Sequence, residues 1–308
     1  MDKVQKDLLE KVADIHGVPE GAYNIRANGK LGGRATTANI DIVTKEDKPG
    51  IDIIIKPGTV NESVHIPVII SESGLSDMVY NDFYIGENSD VVIVAGCGIH
   101  NCGDQSSRHD GIHTFHVGKN ARVKYIEKHY GETDPDASGA NIMNPTTIVE
   151  VDEGGYMEME TTQIKGIDST VRDTKAFLNG EQAKLVIRDK LMTHKDQHAD
   201  AIFDVEMNGK ESTCDLISRA VAQDQSVQTF KASIIGNAPC SSHTECDGII
   251  MDHAKISATP EIQANDLDAA LIHEAAIGRI AGEQLIKLMT LGLTEEEAEQ
   301  EIIAGFLK

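Results

Sequence analysis

The chain has 308 residues, which is enough to bury a substantial core in one elongated domain or two compact ones. Its 28 basic and 50 acidic residues give a formal charge of -22, and such a surface repels nucleic acids and anionic membranes. We therefore expect no nucleic-acid or membrane partner. The sequence contains no apolar run of about 18 residues and begins without the apolar segment of an export signal, so we expect a cytoplasmic protein.

Five cysteines and the absence of tryptophan limit the kind of core that the chain can form. An odd number of cysteines in a chain of this length argues against a disulfide framework, so free thiols or thiolate metal ligands are expected. Aromatic residues make up only 4% of the chain, so the core must be built from aliphatic side chains. This composition favours many small packed layers over one large aromatic-centred globule.

Apolar residues recur at helical spacing near the start of the chain, at Val4, Leu8, Val12 and Ile15. Charged residues lie between them, which predicts one amphipathic helix over residues 2–16 that ends at Gly17 and Pro19. We expect this helix to cap the rest of the protein. Residues 1–50 are assigned to an N-terminal helical or irregular region.

From about Ile51 onward the pattern changes to short β-branched runs, and a repeat appears within them. Each copy has an aliphatic residue, a turn with Gly or Asn, and a new β run; the copies begin at Ile85, Val117, Val151, Leu178, Met207 and Ile235. Successive copies start 32, 34, 27, 29 and 28 residues apart. Such a period without helices predicts a β-solenoid over residues 51–278, because each turn must stack on its neighbours to bury its apolar face. A β-sandwich is the competing interpretation.

The C-terminal residues return to helical periodicity. Residues 282–291 predict a short helix that Gly292 ends, and Thr294 with Glu297 forms a capping box for a second helix. One face of the second helix is apolar, with Ala298, Ile302, Ile303 and Phe306. The predicted hairpin, residues 279–308, either caps the last turn of the solenoid or docks another protein.

Side chains that bind borderline metals are concentrated within residues 240–278: Cys240, His243, Cys246, Asp247, His253, His273 and Glu274. Thiolates and imidazoles are the preferred protein ligands of such metals, and carboxylates are tolerated. The spacing is not that of a zinc ribbon, because paired CxxC knuckles are missing. Polar turns that happen to contain Cys and His are the alternative interpretation.

A second group of possible ligands lies within residues 97–116: Cys97, His100, Cys102, His109, His113 and His116. His113 and His116 are predicted on one strand, where they would point to opposite faces and could not both bind one metal. Two interpretations stay open for the group. It is either a turn and strand with polar surface side chains, or it supplies Cys97 and Cys102 as auxiliary ligands or sulfur acceptors.

The C-terminal segment ALIHEAAIGRIAGEQLIKLMTLGLTEEEAEQEIIAGF resembles the C-terminal signature of the SufB/SufD family of iron-sulfur cluster assembly scaffolds. Upstream, ECDGIIMD and HVGKNARVKYIEKHYG resemble two further segments of the same family. The similarity runs from about residue 80 to the end of the chain. The chain is most similar to the compact archaeal SufB-like members, which work with one ABC-type ATPase.

The resemblance implies a right-handed parallel β-helix, a homodimer formed through it, and a SufC-like ABC ATPase docked on residues 279–308. It also implies a transient iron-sulfur cluster that is built at the subunit interface and passed to acceptor proteins. Cys246 matches the family's essential cluster cysteine, Glu274 the glutamate implicated with it, and His273 the histidine of the HEA-type motif. The weaker candidate ligands are Cys240, His243, Cys97 and Cys102.

The sequence contains no GxxxxGK[ST] loop, so we expect a non-enzymatic scaffold whose partner hydrolyses ATP. The alternative is a zinc or iron metalloenzyme on a β-helix or cupin-like frame that uses the histidines of residues 100–116. A structural solenoid of the adhesin or polysaccharide-binding kind is a third possibility. Free thiols and few aromatic residues weigh against that one.

Overall fold

A computed structural model describes residues 1–17 and 19–308, and β-strands dominate it. In chain order the elements are α1 (Lys3–Ala13), β1 (Ala22–Ala27), β2 (Lys30–Ala35), β3 (Ile40–Thr44), β4 (Gly50–Ile55), β5 (Val60–Ile70), β6 (Ser76–Ile85), β7 (Asp90–Asn101), β8 (Ser107–Val117), β9 (Arg122–Thr133), β10 (Asn141–Met143), β11 (Thr146–Val151), β12 (Tyr156–Lys165), β13 (Ser169–Leu178), β14 (Lys184–Thr193), β15 (His198–Met207), β16 (Ser212–Ala222), β17 (Val227–Gly236), β18 (Cys240–Ile250), β19 (Lys255–Ala264), β20 (Ala270–Gly278), α2 (Gly282–Thr290) and α3 (Glu295–Phe306).

The strands coil into a β-solenoid of about 8 turns, which confirms the prediction from the repeat and excludes the sandwich. Sheet A has the order β2-β1-β5-β7-β9-β12-β14-β16-β18-β20, and sheet B the order β19-β17-β15-β13-β10-β8-β6-β4-β3, with β11 paired to β8 and β13. The chain passes from one sheet to the other and back in each turn. We call one such turn a rung.

Side chains alternate along each strand between the inside of the solenoid, the inner face, and its outside, the outer face. The inner face is mostly aliphatic, as the composition predicts, and it forms one continuous core along the coil. Its large aromatic side chains contact each other: Phe83 and Phe115 stack with ring centroids 4.4 Å apart, and Phe115 meets Tyr125 edge to face at 4.8 Å.

The repeated sequence segments form the tight turns that follow the sheet B strands, and these tight turns lie above one another in successive rungs. Ile85 pairs with Val117, Val117 with Val151, Val151 with Leu178 and Leu178 with Met207, so the first five copies are in structural register. Met207 pairs with Gly236, so the sixth copy is offset by one residue. Amide side chains form a hydrogen-bonded ladder along these turns, in which Asn208 donates to Asn179 at 2.9 Å, Asn237 to Asn208 at 2.7 Å and Asn265 to Asn237 at 2.7 Å. The ladder joins four successive rungs.

The N-terminal end of the solenoid is built from antiparallel strands, with β2 and β3 as the edge strands of their sheets. Strand β2 pairs antiparallel with β1, and β3 pairs antiparallel with β4, so each sheet begins with a hairpin. The predicted N-terminal helix is present as α1, and it covers the outer face of β7, where its Val12 lies against Gly96. Residues 1–50 also contain β1 to β3, which the sequence analysis assigned to a helical or irregular region, because short strands rich in Gly and Asn carry a weak pattern.

The C-terminal end is open. Strands β19 and β20 are the last of their sheets, and most of their residues are exposed. The predicted hairpin is present as α2 and α3, including the capping box of Thr294 and Glu297. It folds back beside β16, where Arg219 Nη1 donates to the Phe306 carbonyl oxygen at 3.1 Å. The hairpin therefore does not cover the open end, which we define as β19 and β20.

Over residues 1–17 and 19–308, no helix is both long and apolar enough to cross a membrane.

The tight stacking of the turns gives a stability test. A Cβ atom on Gly209 would lie 1.8 Å from the carbonyl oxygen of Gly180 in the preceding rung. We expect Gly209→Ala to lower the free energy of unfolding by about 1–3 kcal/mol through overpacking, measured by urea denaturation. Gly278→Ala is the matched control, since no atom of the described residues lies within 4 Å of its added Cβ. Equal urea midpoints for the two variants would contradict the tight stacking.

Candidate functional site

The candidate ligands of the C-terminal motif lie in the last two strands of sheet A. Cys246 is on β18, and its side chain lies on the inner face, 2% exposed. On β20, His273 pairs with Thr244, another inner-face position. Cys246 and His273 therefore share the inner face on neighbouring strands, two residues out of direct register.

Glu274 follows His273 on β20, so its side chain lies on the outer face. There its Oε2 is 4.0 Å from His243 Nε2 on β18, and His243 Nδ1 is 3.4 Å from Asp215 Oδ1 on β16. The Glu274 side chain is 67% exposed. The structure thus places the expected ligands in one region but on two faces, with Cys246 and His273 inside and Glu274 and His243 outside.

Burial controls the charge of the inner pair. It raises the pKa of the Cys246 thiol to about 12, with smaller contributions from the charges of Asp247 and Asp189. Burial also lowers the pKa of His273, and the nearby His243 adds to this effect. Among the described residues His273 Nε2 has no hydrogen-bond partner. The pair therefore rests as a neutral thiol and a neutral imidazole with a free ring nitrogen.

Polar side chains continue from Cys246 along one register position of sheet A. In direct succession the paired residues are Glu127, Thr161, Asp189, Ser218 and Cys246, which we call the polar column. At its centre Asp189 accepts two hydrogen bonds from the guanidinium of Arg172, at 2.7 and 2.9 Å, and one from Thr161 at 2.6 Å. A buried charge requires such pairing, because an isolated one would cost several kcal/mol.

The remaining cysteines occupy different environments. Cys240 and Cys214 are buried, and burial raises the pKa of both thiols. Cys97 is buried on β7, whereas Cys102 is exposed in the turn that follows.

The histidines of residues 100–116 do not converge on one centre. His100 lies 3.2 Å from Asp134, and on the outer face His116 lies 2.7 Å from Glu150. His109 and His113 are buried on the inner face of β8, so the interpretation of this group as surface side chains was wrong for these two. His113 and His116 do point to opposite faces, as the strand alternation predicts.

Sequence analysis missed one group of possible ligands. Cys97, Glu127 and His129 are all buried, and one ligand atom from each lies within 4.8 Å of the other two. Cys97 and His129 are 32 positions apart in the chain but face each other in direct register on β7 and β9. The signal that could have revealed them is the repeat itself, since a shift of one period places these two residues side by side.

Comparison with known proteins gives the family. The family model described as "SUF system FeS cluster assembly, SufBD core domain" matches residues 70–306. The chain belongs to the SufBD family. The candidate ligands around Cys246 and the group around Cys97 therefore both belong to a SufBD-family protein.

Archaeal relatives agree with this assignment. An iron-sulfur cluster assembly SufBD family protein of Methanocaldococcus jannaschii is 30% identical over 257 residues, which are 83% of this chain and 79% of that protein. A SufBD family protein of Methanothermobacter thermautotrophicus is 30% identical over 78% of this chain but only 57% of its own length. One from Archaeoglobus fulgidus is 28% identical over 85% of this chain and 69% of its own length.

Alkylation should rank the thiols of this SufBD protein by burial. The thiolate is the reactive form, and a pKa of about 12 leaves Cys246 almost wholly protonated near neutral pH. We expect iodoacetamide to modify the exposed Cys102 first and Cys246 much more slowly, measured by mass spectrometry of peptides. Reaction of Cys246 should accelerate as the pH rises toward its pKa. Equal rates for both cysteines in the folded chain would show that Cys246 is accessible as a thiolate.

Proposed function

We propose that this SufBD-family chain is a scaffold on which a transient iron-sulfur cluster is assembled before it passes to acceptor proteins. The cluster is the cargo of the protein. The observation that carries the proposal is the position of the candidate ligands: Cys246, His273 and Glu274 lie in the last two rungs, beside the open end. A second copy of the chain and a SufC-like ABC ATPase complete the proposed assembly.

The open end supports a homodimer. Strand β20 is the edge of sheet A and β19 the edge of sheet B, so backbone hydrogen-bonding groups of both are unpaired on one side. Exposed apolar side chains lie on the same strands and the turn between them, including Ile262, Leu267 and Ile272. The last rung of a solenoid needs a cover, and most residues of β19 and β20 are exposed. A second copy would cover these groups through the same surface.

The two faces of β20 suggest how the ligands would be shared. Cys246 and His273 would reach the cluster from the inner face through the open end. Glu274 lies outside on the edge strand, where its exposed carboxylate is free to contact the other copy. In this arrangement the cluster takes Cys246 and His273 from one chain and Glu274 from its partner.

A mixed ligand set suits temporary binding. Four thiolates hold iron-sulfur clusters firmly, whereas one thiolate with an imidazole and a carboxylate holds them less tightly. The resting thiol of Cys246 also has to lose its proton before it can bind iron, because burial keeps its pKa near 12. Both properties favour release of the finished cluster.

Helix α2 supports the docking of another protein. None of its residues is buried, and the apolar side chains of Ile286, Met289 and Leu291 at its end are exposed. A cavity of about 620 Å³ separates the hairpin from the rungs, lined by Glu296, Glu299 and ten other residues. An exposed apolar helix face next to acidic residues fits a partner that offers an apolar groove with basic residues at its rim. We assign this partner as the SufC-like ATPase.

Pairing of two variant chains would test the shared ligand set. Cys246→Ala and Glu274→Ala should each lose most of the cluster absorbance after anaerobic reconstitution with iron and sulfide. If the ligands come from two chains, a dimer of one Cys246→Ala chain and one Glu274→Ala chain keeps one intact site. We expect this mixed dimer to regain about half of the wild-type cluster content, a fraction fixed by the two-fold symmetry.

Cys214→Ala is the matched control for these variants, because Cys214 is also buried on the inner face but lies away from the open end. It should keep the full cluster content. A mixed dimer as inactive as both parents would place all ligands in one chain. A stable, equally intense cluster in the two single variants would reject the ligands themselves.

Charge on helix α2 should prevent docking of the ATPase. Ile286 is 62% exposed, so Ile286→Glu leaves the fold unchanged while it buries a charge in the proposed interface. We expect the variant to lose copurification with a coexpressed SufC-like ATPase. Leu31→Glu, at a 59% exposed site on β2, is the control and should retain it. Retention by both variants would exclude α2 as the docking surface.

A further inference from the structure

The buried group of Cys97, Glu127 and His129, which we call the Cys97 cluster, lies deep in the solenoid and away from the open end. All three side chains are at least nine tenths buried, and their ligand atoms lie within 4.8 Å of one another. In sheet A, β9 is separated from β18 by β12, β14 and β16, which corresponds to about 19 Å at the usual strand spacing. The cluster is thus distinct from the ligands at Cys246.

Hydrogen bonding fixes which ring nitrogen of His129 is free. Its Nδ1 lies 3.3 Å from Gln163 Oε1, and an amide oxygen only accepts, so Nδ1 carries the proton. The second ring nitrogen, Nε2, then carries no proton and lies 3.3 Å from Glu127 Oε1. It has no hydrogen-bond partner among the described residues. A histidine that donates one N–H to a carbonyl and turns the other nitrogen to a metal is the usual arrangement of metal ligands.

Two electron-rich atoms that face each other in a buried site need a positive charge between them. Glu127 Oε1 and His129 Nε2 are such a pair, 3.3 Å apart and buried. The positive charge is either a proton on His129 Nε2 or a metal ion. A metal ion would also bind the Cys97 sulfur, which a proton would leave unused.

Polar side chains also enter the interior from the opposite sheet. His109 and His113 enter it from β8, and their Nε2 atoms are each 3.3 Å from the position that a Cβ of Gly111 would take. His109 is 3% exposed; its Nδ1 lies 3.6 Å from Asp77 Oδ2, and its Nε2 has no hydrogen-bond partner within the described residues. A buried imidazole nitrogen without a partner is destabilising, and a bound ion with its water ligands would offset that cost.

We propose that Cys97, Glu127 and His129 bind one divalent transition-metal ion of the zinc or iron(II) type inside the solenoid. Sulfur, imidazole nitrogen and carboxylate oxygen form the ligand set that these borderline metals prefer. With metal bonds of about 2.0–2.3 Å, tetrahedral ligands lie about 3.3–3.8 Å apart, so the three side chains must close by about 1 Å. Three protein ligands leave a fourth position for an external ligand, as in exchangeable rather than purely structural sites.

Cobalt(II) provides a direct probe of the full-length chain, because thiolate binding gives it a charge-transfer absorption in the near ultraviolet. We expect the metal-free, anaerobically prepared protein to show this band with one Co²⁺ per Cys97 cluster, and Zn²⁺ to displace it. Cys97→Ser should abolish the band, and Glu127→Gln and His129→Asn should weaken binding. Cys214→Ser and Cys246→Ser should both retain it.

The Cys246→Ser control separates this proposal from the cluster-scaffold proposal. A band that persists in Cys97→Ser but disappears in Cys246→Ser would assign the metal to the open end and overturn the site. A folded wild-type chain without any band would mean that His129 and Glu127 form only a protonated ion pair, which also overturns it.

Folding of each variant is checked by circular dichroism. If Cys97→Ser does not fold, Gln163→Met tests the metal site instead. This variant removes the hydrogen bond that orients His129 but keeps the side-chain volume. We expect it to weaken Co²⁺ binding about 10- to 100-fold. Unchanged affinity in Gln163→Met would contradict the proposal.

Discussion

Direct register between stacked parallel strands is the constraint on which this protein depends. Each rung buries its inner face against the next, and the turns approach so closely that glycine is required where Gly209 meets the Gly180 carbonyl oxygen. The Asn ladder reinforces the same register at the corner. Because the register continues through many rungs, inner-face residues that are one repeat apart in the chain lie directly above and below each other.

The register builds a polar interior as well as an apolar one. Inner-face positions of sheet A include the polar column from Glu127 to Cys246, and the ion pair of Arg172 and Asp189 lies within it. Such groups are stable inside only because each finds a partner on a neighbouring rung or the opposite sheet. The polar column and the Cys97 cluster place titratable groups where water does not reach, and the loss of hydration raises the pKa of the Cys246 thiol.

The two ends of the coil are unequal, and this inequality locates the proposed function. Antiparallel hairpins finish both sheets at the N-terminal end, where α1 also covers sheet A. At the other end each sheet finishes in a mostly exposed parallel strand, β19 or β20, and the expected cluster ligands lie beside these strands. An assembly site at an unfinished edge can be completed by a partner and opened again, which a site in the middle of the coil cannot.

Local patterns in the sequence determined the period of the coil, the helix at each end and the capping box at Thr294, because turns and caps depend on neighbouring residues. Family motifs directed attention to Cys246, His273 and Glu274. Only the tertiary structure decided that Glu274 faces away from the other two, and that Cys97 meets Glu127 and His129. Side chains about thirty positions apart become neighbours through strand register, and register is set by the packing of whole rungs, which no short stretch of sequence contains.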